Sequence, residues 1–158
     1  MVTNYRNATG IMPEFSDSDG NTYVYVYNDT GAAISNGDVY MLGYAADADS
    51  LSPSAFNTLD ACATTAIYRQ MVVVNNLPLG KTTIADQEYG YVQKKGYIPK
   101  VKVAATIAIG DYIQGANASQ EAADDGTTIT TDSFGVAVTA VASNYCEAIL
   151  FGERSLIG

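Results

Sequence analysis

Between residues 21 and 29 the chain reads NTYVYVYND, with Tyr23, Tyr25 and Tyr27 alternating with Val24 and Val26. A period of two belongs to a strand, because successive side chains leave opposite faces of an extended backbone. The pattern therefore predicts a strand with one valine face and one tyrosine face. The NDTG that follows supplies a turn. The same reading predicts strands over 37–44 (GDVYMLGY) and over 66–76, where Val72, Val73 and Val74 form a β-branched run. Residues 89–103 (YGYVQKKGYIPKVKV) read as a hairpin that reverses at KKG. A short threonine-rich strand is expected within 118–131, and two final strands over 134–143 and 146–152, joined at Asn144 and Tyr145. Residues 45–63 are small, polar and interrupted by Pro53, a loop with room for one helical turn. Nowhere does a helical stripe persist for three turns.

Short β-rich runs punctuated by Gly, Asn and Asp predict an all-β sandwich or barrel. Residues 1–20 are polar, carry Gly10 and Pro13, and show no sustained periodicity, so they read as an N-terminal arm ahead of a single β-rich domain over 21–158. A chain of 158 residues suits one such domain and buries about 70% of the surface its unfolded form exposes.

Composition removes several classes of function. Hydrophobic residues make up 47% of the chain, but no run approaches the ~18 apolar residues of a membrane helix. The first twenty residues lack the basic flank and apolar core of a secretory signal, which predicts synthesis in a cytoplasm. Seventeen acidic residues against eight basic ones give a net charge of −9, the wrong sign for binding a phosphate backbone. Histidine is absent, which excludes Ser-His-Asp and Cys-His catalysis and removes the usual nitrogen ligands of catalytic zinc. Cys62 and Cys146 do not make a secreted disulfide framework, and in a reducing cytoplasm they are expected as thiols.

What chemistry remains rests on carboxylates. Asp17/Asp19, Asp47/Asp49, Asp86/Glu88 and Asp124/Asp125 are pairs of the kind a glycosidase uses, but each sits where a turn asks for Asp. DSDGN at 17–21 hints at a calcium loop. In either register, however, non-acidic residues fall where the loop's carboxylates belong: Phe15 and Val26 in one, Asn28 in the other. Asn7, Asn28 and Asn117 open glycosylation triplets that read more simply as turns. No glycine loop carries the lysine of a phosphate site. The expectation is a protein with no catalytic set, metal or cofactor. Twelve tyrosines and no tryptophan suit a contact surface or a stiffened sheet about equally.

One motif recurs. AAISNGDVYMLG at 32–43 is echoed by AATIAIGDYIQG at 104–115. In each, Gly37 or Gly110 permits a reversal, Asp38 or Asp111 is placed to bond nearby N–H groups, and a strand begins. A barrel of two loosely similar halves would produce this echo.

The succession G-D-V-Y-x-L at 37–42, G-Y-V-x-K-x-G at 90–96, I-x-I-G-D-Y-I at 107–113, F-G-V-A-V-x-A-V at 134–141 and E-A-I-L-F at 147–151 resembles the capsid decoration (cement) proteins of tailed bacteriophages. The resemblance runs from Tyr23 to Phe151. It implies a compact β-barrel or β-tulip-like domain on the outer surface of a phage head, bound to the major capsid protein as a homo-oligomer, with a trimer favoured. It also implies stabilisation of the capsid against internal DNA pressure, with no contact to nucleic acid or membrane. On that reading Val2, Tyr5, Ile11, Met12 and Phe15 of the arm, with the outward row Tyr23, Tyr25 and Tyr27, are the expected partner contacts. A fibre or adhesin domain that binds carbohydrate is the competing class, and a carboxylate-pair hydrolase the third.

Overall fold

The structure, a computed structural model, describes residues 2–4, 14–43, 58–60, 71–116 and 119–152. Over these residues the chain is all-β. Its strands are β1 (Val2–Asn4), β2 (Glu14–Ser16), β3 (Thr22–Tyr27), β4 (Ile34–Ser35), β5 (Val39–Gly43), β6 (Thr58–Asp60), β7 (Met71–Val74), β8 (Thr83–Ile84), β9 (Tyr89–Lys102), β10 (Tyr112–Gly115), β11 (Ala122–Gly126), β12 (Gly135–Ala137) and β13 (Tyr145–Phe151). All but β4 and β8 join one sheet, in the order β1-β2-β3-β9-β13-β12-β10-β11, with β7 bridging β9 to β5 and β5 carrying β6. The ladders are antiparallel; β4 and β8 pair separately.

The expected hairpin at 89–103 is instead one continuous strand, β9. Its first half pairs with β3, and Val92 and Gln93 pair at the same time with β7 on the opposite edge. Lys95 is the handover, opposite Thr22 of β3 and Phe151 of β13; the second half then follows β13 to Lys102. Partners on both edges satisfy the backbone without a reversal, so KKG stays within the strand, with Gly96 at φ +95°. It is a bulge rather than a turn. Tyr23 faces Gln93 while Thr22 faces Lys95, which leaves Lys94 as an extra residue. One extra residue moves the following side chains to the other face, Ile98 among them; a second shift, Pro99 and Lys100 against the single Glu147, then keeps Val101 on the same side as Ile98.

That inversion lets one strand serve two cores. Before the bulge, Val92 packs with Val24, Val26, Val72, Val74, Tyr40, Leu42, Leu59, Ile34 and Ile84. After it, Ile98 and Val101 pack with Met71, Val73, Ile113, Phe134, Ala148 and Leu150 on the other side. β7 stands between the two and is buried on both faces, which explains why its apolar residues run on instead of alternating. The valine face of β3 is as expected, with Val24 and Val26 both buried.

Residues 1–20, expected as an arm without strand periodicity, contribute two strands. β1 pairs with β2, and β2 with β3, and a salt bridge of 2.6 Å ties Glu14 to Lys94. Three-residue strands are too short for alternation to register in the sequence. The strand expected among the threonines falls just before them, on β11, and the strand expected over 134–143 is confined to β12. At its far end the sheet returns to β9 through one parallel bridge, Val103 to Ala122, beside which the Ala104 N–H donates to the Ala122 carbonyl at 2.8 Å. Among the described residues that bridge is the only strand pairing between β11 and the residue that follows β9.

Candidate interaction surface

The repeated motif is one turn used more than once. The Asp38 N–H donates to the Ser35 carbonyl at 3.0 Å and the Asp111 N–H to Ala108 at 3.2 Å. The Asp38 Oδ2 then accepts the Ser35 N–H at 2.9 Å, and the Asp111 Oδ2 the Ala108 N–H at 2.8 Å. Gly37 and Gly110 have φ of +102° and +88°, at the position where a type II turn needs a left-handed residue. A third copy lies at Ala85–Glu88, closed by the Glu88 N–H on the Ala85 carbonyl at 3.2 Å, with Gln87 at φ +59°. In all three an isoleucine (Ile34, Ile84 or Ile107) is buried just ahead of the turn. Three copies make the echo a recurrent turn, and two similar halves are not needed to explain it. The third escaped sequence reading because Gln carries no signal for a left-handed backbone.

The tyrosines of β3 share a face, as expected, but they are not an open row. Tyr23 is 7% exposed, stacked on Phe15 with ring centroids 4.9 Å apart and met edge-on by Tyr91. Tyr25 stacks on Tyr89 at 5.2 Å and leans on Tyr91, and Tyr27 leans on Tyr89. Phe15, Tyr23, Tyr91, Tyr25, Tyr89 and Tyr27 thus form a cross-strand ladder over β2, β3 and β9, in which such pairs add about 0.5–1.5 kcal/mol each beyond area burial. Phe15 and Tyr23 are therefore not available to a partner: each covers the other. Tyr25 and Tyr27 are half-buried, and Tyr89 is the exposed end of the ladder. Burial, the nearby charges of Asp17 and Asp19 and a hydrogen bond to Asp17 raise the Tyr23 phenol above its ordinary pKa. For Val2 the structure gives only its place on β1; Tyr5, Ile11 and Met12 lie outside the described residues.

A different apolar row faces solvent. Tyr97 lies opposite Ile149, Ile149 opposite Val136, and Val136 opposite Tyr112, so one register line crosses β9, β13, β12 and β10. Residues directly opposite each other project on the same face. Their neighbours Ile98, Ala148, Leu150, Ala137 and Ile113 point inward and are buried. Tyr97 and Ile149 are 48% and 43% exposed, and Val136 and Tyr112 are half-buried. Phe151 extends the row, its ring 6.0 Å from that of Tyr112. Charges of both signs rim it: Lys95 stands opposite Phe151, and Glu147 accepts the Tyr97 hydroxyl at 2.5 Å. That bond, with smaller contributions from burial and the Glu147 charge, raises the Tyr97 phenol.

Four carboxylates of the candidate pairs bond to turns and loops. The Asp17 Oδ1 accepts the N–H groups of Asp19 and Asn21, each at 2.9 Å, and its Oδ2 accepts the Asn21 side-chain amide at 2.9 Å. Burial works to raise the Asp17 carboxyl, but these bonds outweigh it and hold it below its ordinary pKa. Asp86 accepts the Gly31 N–H and Asp124 the Gly126 N–H, and Asp125 takes the hydroxyls of Thr130 and Ser133. Asp47 and Asp49 lie outside the described residues. Among the described residues no three His, Cys, Asp or Glu side chains are grouped to hold a metal ion.

Asn28, the head of a glycosylation triplet, is wholly buried. Its amide donates to the carbonyls of Ala32, Ile84 and Ala85, and its oxygen accepts the Thr30 N–H and hydroxyl. It fastens the 28–32 turn to the β8 end. Cys146 is a buried free thiol, pushed up to about 11 by burial and by the Glu147 charge; Cys62 lies outside the described residues.

Compared with known proteins, the chain matches no family model and no curated protein.

Proposed function

We propose that this chain is a structural virion protein. It binds the outer surface of a phage capsid as a homo-oligomer, with a trimer favoured, and stabilises the shell against internal DNA pressure. The observation that carries the reading is the row Tyr97–Ile149–Val136–Tyr112, exposed at Tyr97 and Ile149 and half-buried at Val136 and Tyr112, set in register on four antiparallel strands whose other face is core. A rigid sheet with an apolar centre and a charged rim has the anatomy of a protein interface. Stable interfaces bury roughly 1,200–2,000 Å² and concentrate their energy in a few central aromatic and aliphatic anchors. Cement works by such area, and it needs no catalytic group.

The test is sedimentation of purified protein with phage heads that lack it, followed by heating of the decorated heads. The double change Tyr97→Ser/Ile149→Ser leaves the inner face untouched. It should give a folded protein that binds heads at least tenfold more weakly and no longer delays DNA release. A wild-type protein that ignores heads but binds a glycan array through Tyr89 would replace this reading with the carbohydrate-binding one.

A further inference from the structure

A cavity of about 350 Å³ lies where the Leu77–Leu79 3-10 turn meets the second half of β9, lined by Val74, Leu77, Ile98 and Pro99 with Asn36, Asn75, Thr82 and Lys100. Its walls are fixed. The Asn75 amide donates to Gln93 at 2.9 Å and its oxygen accepts the Leu77 N–H; the Asn36 oxygen accepts the Asn76 N–H at 2.8 Å. Gln93 in turn donates to the carbonyls of Lys95 and Tyr97, which pins the bulge. Lys100 is held with its ammonium 4.2 Å from the centre of the Tyr145 ring. Gly37 makes room for it, since a Cβ there would meet the Lys100 Cγ at 3.1 Å and the Tyr145 Cε1 at 3.2 Å.

The charge of the cavity is the informative part. The chain carries −9, yet the one charged group in this lining is a cation. Lys94 and Lys102 of the same strand are paired with Glu14 and Glu121; Lys95 and Lys100 have no carboxylate within salt-bridge distance among the described residues, and of these two only Lys100 lines the cavity. An apolar cavity lined on one side by a lysine that meets no carboxylate among the described residues is complementary to an apolar group that carries a carboxylate beside it.

We propose that this cavity is an anchor pocket for a partner peptide segment presenting an aliphatic side chain next to an Asp or Glu. The aliphatic group packs on Val74, Leu77, Ile98 and Pro99, and the carboxylate accepts from Lys100. Exposed Leu77, at 52%, forms the mouth. The proposal does not depend on the partner being a capsid subunit.

The probe is the acetylated, amidated tetrapeptide Ala-Asp-Leu-Ala, titrated into the full-length protein and followed by amide chemical shifts. Shifts should concentrate on Asn36, Asn75, Leu77, Thr82 and Lys100. The Ala-Asn-Leu-Ala peptide and the Lys100→Met protein should each bind about tenfold more weakly, the loss expected for one charge-assisted contact. Leu77→Asp, at an exposed position, should abolish binding while the unliganded spectrum stays that of a folded protein. Equal affinity for the Asp and Asn peptides, shifts centred elsewhere, or tighter binding of free 4-methylpentanoate than of the peptide would each overturn the proposal.

Discussion

Replacing Asn28 by Ala tests how the short outer hairpin is held to the sheet. Asn28 is wholly buried, and its side chain makes five hydrogen bonds. The bond to the Ile84 carbonyl at 3.1 Å is buried; the other four are partly accessible. Truncation removes one buried bond, worth about 0.5–1.5 kcal/mol because the Ile84 carbonyl keeps its ladder partner Ile34, and each of the others adds about 0.5 kcal/mol because water replaces it in part. The sum is about 2.5–3.5 kcal/mol, a large share of the ~5–15 kcal/mol by which domains are stable. For a chain of this length it corresponds to a fall of roughly 10 °C in Tm. Asn28→Asp should cost more near neutral pH, because a carboxylate would then face three carbonyl oxygens that expect a donor. Part of that loss should be recovered in acid, where a protonated acid donates one bond. Urea and thermal unfolding followed by circular dichroism give both numbers. A loss below about 1 kcal/mol for the Ala variant, or an Asp variant as stable as the wild type at pH 7, would refute the reasoning.

The two glycine turns should respond unequally. Both need a left-handed residue, which costs a non-glycine residue about 1–2 kcal/mol, but a Cβ at Gly110 meets nothing within 4 Å while one at Gly37 crowds Lys100 and Tyr145. Gly37→Ala should therefore be the more destabilising by urea melts, and equal losses would contradict the crowding; Gln87→Gly, in the third copy, should be neutral or stabilising by up to about 1 kcal/mol. The raised Cys146 thiol carries a sign: the unfolded chain loses this proton first, near pH 9, so stability should fall between about pH 9 and 11. In a Cys62→Ser background, native Cys146 should resist a thiol reagent at pH 8 and react on unfolding; rapid labelling of the native protein would place the thiol at the surface.

The alternation of β3 and the continuous apolar run of β7 were legible in the sequence because each reports on one strand and its two faces. The turns at Gly37 and Gly110 were legible because glycine and aspartate mark a left-handed backbone and a local acceptor. What the sequence could not contain is which edges find partners. β9 runs on through KKG only because β3, β7 and β13 stand on either side of it, and the bulge at Lys94 then reverses its faces. Tyr23 reads as outward from its own strand; Phe15, from a strand too short to announce itself, covers it. The row from Tyr97 to Tyr112 draws one residue from each of four strands, and the cavity at Lys100 joins a turn to a strand 20 residues further on. Local pattern determined where strands form and which side chains share a face. Register and edge pairing, which are properties of several segments at once, decided which of those faces stayed open to solvent.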